Sequence, residues 1–195
     1  MLRQADYGGG LAVAFESVVE LIGCTFDGNT SHLWDAQLSQ VIGQAIYQGQ
    51  PGGFDPHTSA KCTNCIVWDR WGPKNKFSVE YVFINSDVLG LFDVQNDTIK
   101  HTGSFDLDPQ FVDPEMGKYR LKSYSPCIDS GTETTLTDDL DGNPRPVDVA
   151  GRGEVSAYDM GCYEFQLKPA DMNSDGMVNG EDLLIFQEEW MRERE

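Results

Sequence analysis

The sequence predicts a mainly β fold made of stacked parallel β-coils, with an irregular tail and a short loop and helix at the C-terminus. Glycine turns alternate with short β-rich runs through residues 1–99, prolines interrupt residues 100–165, and five side-chain oxygen donors at regular spacing precede an amphipathic stretch. A chain of 195 residues is long enough for one ordinary core and a small appendage.

The coils are predicted from a weak internal repeat. "GGGLAVAF" leads into "SVVELIGCTFDGNTS", and "GQAIYQGQPGG" leads into "AKCTNCIVWDR", so that residues 23–26 align with residues 64–67. A third run, "FSVEYVFINSDV", follows a Gly-Pro break. Short strands, frequent turns and imperfect repetition are typical of stacked parallel coils. A β-sandwich also has short strands between turns, and this pattern alone leaves that alternative open.

Residues 100–165 are predicted to form a structural cap, and residues 166–170 a linker. Prolines remove backbone donors and fix φ, so long strands cannot continue through this segment. The open end of a stack needs a cover because exposed strand edges pair with other chains. We expect the aromatic runs "KYRL" and "CYEF" to pack over the last coil. The prolines are Pro109, Pro114, Pro126, Pro144 and Pro146.

The five cysteines are Cys24, Cys62, Cys65, Cys127 and Cys162, and an odd count leaves at least one thiol free. Cys62 and Cys65 form a C-x-x-C, but residues three apart in a strand point to opposite faces. With no second C-x-x-C and no spaced histidine pair, a zinc site is not indicated. We expect buried structural cysteines, with at most one disulfide.

The charge of the chain restricts its partners. It has 32 acidic and 14 basic residues, a net charge of −18, which argues against nucleic acid and against anionic membrane surfaces. No apolar run reaches the length of a membrane span, and the start "MLRQADYGGGLAVAFESVVEL" is not a secretory signal. Because a strand pattern begins within a dozen residues, we expect the C-terminal piece of a longer extracellular or cell-surface protein, or a shortened gene model.

The order of motifs resembles a known family. "GGGLAV…VVELIGCTFDGNTS", "GQAIY…TNCIVWDR", "NSDV", "FDLDPQFVDPEMGKYRLKSYSPCIDSGT", "DLDGNPRP" and "DMGCYEF" occur in this order. They resemble the C-terminal end of secreted bacterial right-handed parallel β-helix proteins, the pectate-lyase-like superfamily in its broad sense. The resemblance covers roughly residues 8–165 and implies a β-helix closed by an irregular tail. The sequence departs from it at "HLWDAQLSQV", which is interpreted as an insertion between coils.

A calcium loop is predicted within residues 171–182. Asp171, Asn173 and Asp175 occupy positions 1, 3 and 5, Gly176 permits the sharp turn at 6, Met177 offers its carbonyl at 7, Asn179 lies at 9 and Asp182 at 12. Calcium takes six to eight oxygen ligands, and this spacing is that of an EF-hand loop. An EF-hand usually ends on glutamate, so Asp182 is a departure. The apolar residues Leu183, Leu184, Phe186 and Trp190 then fall close to helical spacing.

The loop and helix resemble one dockerin type I repeat, which carries aspartate at position 12. The resemblance implies a calcium-binding module in residues 171–195 that attaches to a cohesin-type protein or a cell-surface partner. Dockerins normally carry two repeats, and this chain has one. The pair that contributes to partner choice is Gly180-Glu181 rather than two small hydroxyl residues. A second acidic run, "TDDLDGNPRP", is interpreted as a turn because Pro144 and Arg145 break the pattern.

No catalytic constellation stands out, and the catalytic residues are unknown. Pectate-lyase-like enzymes use carboxylate-bound calcium and a basic residue, and this chain offers Asp27, Asp69 and Arg70 near coil ends. Two hypotheses follow. The chain is a non-catalytic part of a secreted β-helix protein with a calcium-stabilised attachment module, or it belongs to a carbohydrate-active enzyme, a polysaccharide lyase or glycosidase, anchored by that module.

Overall fold

A computed structural model of the chain describes residues 4–5, 10–13, 17–31, 34–35, 40–41, 46–48, 58–69, 80–92, 99–149, 152–153, 156–166, 170–172 and 178–192. A 3₁₀ turn covers Pro114–Met116, and helix α1 covers Gly180–Arg192. The strands are β1 (Gln4–Ala5), β2 (Leu11–Val13), β3 (Val18–Ile22), β4 (Thr25–Phe26), β5 (Thr30–Ser31), β6 (Trp34–Asp35), β7 (Gln40–Val41), β8 (Ile46–Gln48), β9 (Ser59–Thr63), β10 (Ile66–Val67), β11 (Glu80–Ile84), β12 (Asp87–Val88), β13 (Ile99–Thr102), β14 (Phe111–Asp113) and β15 (Lys118–Leu121).

Three of the four parallel sheets among the described residues contain the repeating strands of the fold, and the fourth pairs β1 with β5. The strand orders of the three are β13-β11-β9-β3, β12-β10-β4 and β2-β8. The chain passes through these sheets in a repeated order, and we call each passage a rung; in rungs 3 and 4 the described strands lie in two of the three sheets. Rung 1 contains β2, β3 and β4, rung 2 contains β8, β9 and β10, rung 3 contains β11 and β12, and rung 4 contains β13 and the bridge from Phe105 to Asp87. The prediction of a mainly β fold with parallel strands is confirmed.

The internal repeat sets the register of the rungs. Thr25 pairs with Ile66 and Phe26 with Val67, as the alignment of residues 23–26 with 64–67 predicts. Between rungs 1 and 2, β6 and β7 pair antiparallel within the segment interpreted as an insertion. Strand β13 crosses the predicted boundary between residues 99 and 100, so the stack continues to Phe105.

A row of single-residue turns joins two of the sheets. We call Gly23, Asn64, Asn85 and Gly103 the turn row; their φ angles are 59°, 52°, 43° and 62°. Glycine and asparagine tolerate this left-handed conformation better than other residues, which explains their presence here. The backbone N–H groups of Gly23, Asn64 and Asn85 each donate to a carbonyl of the next rung, at 2.9–3.0 Å. The turn row thus fixes where each rung bends.

The turn row also places both cysteines of the C-x-x-C in one core. The prediction that Cys62 and Cys65 point to opposite faces is wrong, because β9 ends at Thr63 and the left-handed Asn64 interrupts the alternation. Both thiols are fully buried in the same hydrophobic cluster, with Phe83 and Val88. All five cysteines of the chain are free thiols, so no disulfide forms.

The irregular segment after the stack, residues 106–166, is called the cap. A second hydrophobic cluster lies beneath it, with Phe111, Ile128 and Met160 of the cap packed against Ile66 of rung 2. The predicted turn is present at Asp139, whose Oδ1 accepts hydrogen bonds from the backbone N–H groups of Asp141 and Asn143 at 2.9 and 2.8 Å. In this segment, buried carboxylates take backbone hydrogen bonds that strands would otherwise satisfy.

The cap lies along the turn row rather than over the last rung alone. The side chain of Asn64 bonds Thr132, and Asn85 Nδ2 donates to the Ser130 carbonyl at 3.3 Å. The Gly161 N–H donates to the Asn64 carbonyl at 2.8 Å. These contacts reach rungs 2 and 3, so the cap is attached to more than the last rung.

Candidate metal centre

Helix α1 begins with a capping box formed by two of the predicted calcium ligands. Asn179 Oδ1 accepts a hydrogen bond from the Glu181 backbone N–H at 2.7 Å, and Asp182 Oδ2 accepts one from the Asn179 N–H at 2.7 Å. Asn179 satisfies a backbone donor of the first helical turn, and Asp182, three positions later, accepts the backbone N–H of Asn179. The same two residues that occupy loop positions 9 and 12 therefore also start the helix.

Asp182 joins the two ends of the loop. Its Oδ1 accepts a hydrogen bond from the Met172 backbone N–H at 2.7 Å, next to Asp171, while its Oδ2 bonds Asn179. The Asp182 side chain is only 3% exposed, although its neighbours Glu181 and Leu183 are exposed. A buried carboxylate at this position brings loop positions 1 and 12 close together, as a calcium loop requires.

The described residues cover half of the predicted ligand set. Asp171, Asn179 and Asp182 are described, whereas Asn173, Asp175 and Met177 lie outside the described residues. Among the described parts of the chain, no group of three His, Cys, Asp or Glu side chains is arranged to hold a metal ion. The structure therefore shows the two ends of the loop and leaves the ligand geometry between them as a prediction.

The chemistry of the loop suits a hard cation. Residues 171–182 contain four acidic side chains and no lysine, arginine, histidine or cysteine. Each carboxylate oxygen has two lone-pair directions, so an oxygen that accepts one N–H can still accept a second partner. The donor set fits calcium, which binds oxygen ligands, and does not fit zinc or copper, which select nitrogen or sulfur.

The apolar face of α1 is exposed. The predicted helix is confirmed, and five of its six large apolar side chains are at least half exposed, which is unusual for an amphipathic stripe. Phe186 and Trp190 lie one turn apart with ring centroids 6.0 Å from each other. The exposed residues are Leu183, Leu184, Phe186, Trp190 and Met191.

A second group of polar residues lies where two strands of the stack end. Asp27 follows β4 and Asp69 follows β10. The negative charge of Asp27 acts on the pKa of Asp69, and both charges act on the pKa of Tyr119. Burial raises the pKa of Asp27, and a hydrogen bond from Tyr119 opposes that shift. Burial also raises the pKa of Asp69, with a further rise from the negative charge of Asp27. The structure thus brings together two of the residues that the sequence singled out; Arg70 lies outside the described residues.

Tyr119 belongs to this group and was not predicted. It lies on β15 of the cap, and burial and the charge of Asp27 raise its pKa. Asp69 is tied to rung 1 by Asn29, whose N–H and Nδ2 donate to the two carboxylate oxygens at 2.6 and 3.0 Å. No local pattern links Tyr119 to Asp27, because 92 positions separate them in the sequence and only the docked cap joins them.

Comparison with family models, with curated proteins and with solved structures finds no match for this chain. Among the residues that the structure describes, no helix has the length and apolar character needed to cross a bilayer.

Proposed function

We propose that this chain belongs to a secreted right-handed parallel β-helix protein and ends in a calcium-binding, dockerin-like attachment module, without catalytic activity in the residues given. The stacked rungs and the turn row support the β-helix. The single observation that carries the attachment module is Asp182, which bonds Met172 at one end of the loop and Asn179 at the other.

The residues of this chain would hold the ion through oxygen atoms. The proposed ligands are the side chains of Asp171, Asn173, Asp175, Asn179 and Asp182 and the backbone carbonyl of Met177. Bound calcium supplies a cross-link between the ends of the loop and offsets part of its negative charge. Asp182 is buried and bonded to the backbone at both ends of the loop, and these contacts supply part of the ordering that calcium binding requires.

The exposed apolar face of α1 supports the attachment role. Aromatic and aliphatic side chains left uncovered on one helix are typical of a surface that packs into a partner groove. Phe186 and Trp190 would form the centre of that surface. The partner that this proposal names is a cohesin-type protein or a cell-surface protein.

Calcium titration by calorimetry tests the proposal. The intact chain is compared with Asp175→Ala, which removes a proposed ligand, and with Asp138→Ala, which removes an exposed carboxylate of the cap. We expect one calcium site in the intact chain and in Asp138→Ala, and its loss in Asp175→Ala. Equal binding by all three chains would contradict the proposed loop.

The group formed by Asp27, Asp69 and Tyr119 favours a second candidate function, a polysaccharide lyase or glycosidase anchored by the same tail. Two carboxyl groups with raised pKa values beside a tyrosine hydroxyl are the kind of groups that act in general acid–base catalysis. Asp27 is half-buried and the more accessible of the two, since Asp69 is fully buried and bonded to Asn29.

Turnover distinguishes the two functions. Acidic polysaccharides are incubated with the chain and with Asp27→Asn, and the products are assayed for unsaturated ends and for new reducing ends. The enzyme hypothesis predicts products that Asp27→Asn abolishes, while the preferred proposal predicts no products from either chain.

A further inference from the structure

Three carboxyl groups of the cap lie completely inside the protein. We call Asp129, Asp159 and Glu164 the cap carboxyl cluster; each is 1% exposed. They are linked through the backbone: the Asp129 N–H donates to Asp159 Oδ1 at 2.8 Å, and the Asp159 N–H donates to Glu164 Oε2 at 3.2 Å. Three acidic side chains with almost no exposed surface are therefore held close together.

Within the described parts of the chain, one buried cation faces this cluster. Arg145 Nε donates to Glu164 Oε2 at 3.0 Å, and both side chains are almost fully buried. Asp139 also faces Glu164, since its Oδ2 accepts the Glu164 N–H at 3.2 Å. The exposed residues Asp148 and Arg152 act on Asp129 with opposite charges, and the buried thiol of Cys127 lies near Asp159. One guanidinium cannot neutralise all of the buried carboxylates if every one of them is ionised.

Asp129 is the member whose ionised form is least well satisfied. Its Oδ2 accepts a hydrogen bond from the Val149 N–H at 2.9 Å, but its buried Oδ1 has no hydrogen-bond partner among the residues that the structure describes. An ionised carboxylate with a bare buried oxygen is costly, and a neutral carboxyl at that position costs less. The surroundings of Asp129 therefore favour its protonated form, whereas Asp159 and Glu164 accept N–H groups on both of their carboxylate oxygens.

The cluster also holds the cap against the turn row. Arg145 Nη2 donates to the Gly161 carbonyl at 3.0 Å, and the N–H of Gly161 donates to the Asn64 carbonyl of rung 2 at 2.8 Å. Glu164 thus positions Arg145, and Arg145 positions Gly161, which contacts the stack. A change in the charge of the cluster therefore changes the electrostatic environment of Arg145, which holds Gly161 in that contact.

We infer that the cap carboxyl cluster retains a proton in the folded chain, and that loss of this proton at alkaline pH releases the cap from the turn row. Burial, followed by the negative charge of Glu164, raises the pKa of Asp159 to about 8, in agreement with that inference. Burial also raises the pKa values of Glu164 and Asp129. Because these groups bind protons more tightly in the folded chain, raising the pH through their folded-state pKa values removes stability.

Hydrogen exchange measured by mass spectrometry tests this inference in the full chain. Protection of the cap amides of Val147, Val149 and Phe165, corrected for intrinsic exchange, is compared with that of β9 and β11 at pH 6 and pH 9. From pH 6 to pH 9 we expect the exchange protection of the cap amides to fall by at least about tenfold relative to that of the strands. This is the effect of a pKa difference of about one unit between the closed and the open cap. Equal corrected protection at the two pH values would overturn the inference.

Asp129→Asn provides the matched variant. The amide oxygen keeps the bond from the Val149 N–H, the charge is removed, and asparagine suits the positive φ of 52° at this position. We expect a smaller pH effect than in the wild type, whereas Asp138→Asn, at an exposed carboxylate, leaves it unchanged. A pH effect in Asp129→Asn as large as in the wild type would overturn the role of the cluster. If Asp129→Asn does not fold, the comparison of wild-type exchange at pH 6 and pH 9 remains the test of the inference.

Discussion

The side chain of Asn64 pairs with both backbone groups of Thr132, as a neighbouring strand would. The Thr132 N–H donates to Asn64 Oδ1 at 2.8 Å, and Asn64 Nδ2 donates to the Thr132 carbonyl at 2.7 Å. Asn64 belongs to the turn row, so one side chain both tolerates the left-handed turn and attaches the cap. Asparagine meets both demands because it adopts positive φ readily and carries a donor and an acceptor.

Asn64→Ala is expected to lower the free energy of unfolding by about 2–4 kcal/mol, from two lost hydrogen bonds and a strained left-handed alanine. Urea unfolding followed by fluorescence measures this. Asn85→Ala is the matched control, since Asn85 has a similar φ of 43° but makes one longer bond to the cap, at 3.3 Å. Equal destabilisation by the two substitutions would contradict the special role of Asn64.

Asp182→Ala is expected to unravel the start of α1 even without calcium, because it removes the bonds to Met172 and Asn179. The loss of a capping interaction costs about 1 kcal/mol. The circular dichroism signal at 222 nm in the presence of a chelator measures the helix. Glu181→Ala, an exposed neighbour in the first turn, is the control and should retain more helix. An unchanged signal in Asp182→Ala would show that the capping box does not stabilise the helix.

The stability of the stack is expected to fall as the pH rises from about 4 to about 7. Burial raises the pKa of Asp87 to about 7, whereas an aspartate in the unfolded chain titrates near 3.9. The folded chain therefore retains a proton that the unfolded chain releases in this interval, and each step up in pH favours unfolding. Urea midpoints at pH 5 and pH 7 measure the effect.

Asp87→Asn isolates this contribution. Asp87 accepts the Leu107 N–H at 3.1 Å and contacts the Cys127 thiol at 3.3 Å, and an amide of the same shape can keep both contacts. The pH dependence between pH 5 and pH 7 should be flatter in Asp87→Asn than in the wild type, and unchanged in Asp138→Asn. If Asp87→Asn keeps the wild-type slope, another group is responsible for it.

Local patterns in the sequence predict the parallel strands and the C-terminal helix, although α1 begins at Gly180, within the predicted loop. Residues 23–26 and 64–67 align in the sequence and pair in register in the structure, because each rung repeats the same short strand, turn and strand. The position of α1 also follows from adjacent residues, since Asn179 and Asp182 form its capping box. These features depend on contacts that the chain makes with its own neighbours or with an equivalent position one rung away.

Contacts between segments that are far apart in the sequence cannot be predicted from such local patterns. The Arg145–Glu164 pair and the Asn64–Thr132 bonds depend on how an irregular cap folds back on the stack. Tyr119 reaches Asp27 for the same reason. The misassigned faces of Cys62 and Cys65 have a local cause: the sequence pattern did not reveal that Asn64 would adopt a left-handed turn and end the strand.

Hydrogen exchange of the tail with and without calcium tests the central claim most directly, that calcium organises residues 171–192. The amides of Met172 and Asn179, which donate to Asp182, report the closed loop, and those of β9 and β11 provide an internal reference within the same chain. The account predicts that calcium slows exchange in the loop and in α1 and leaves the strands unchanged, and that Asp175→Ala abolishes the difference. Exchange in the tail that is the same with calcium and with a chelator would contradict the account.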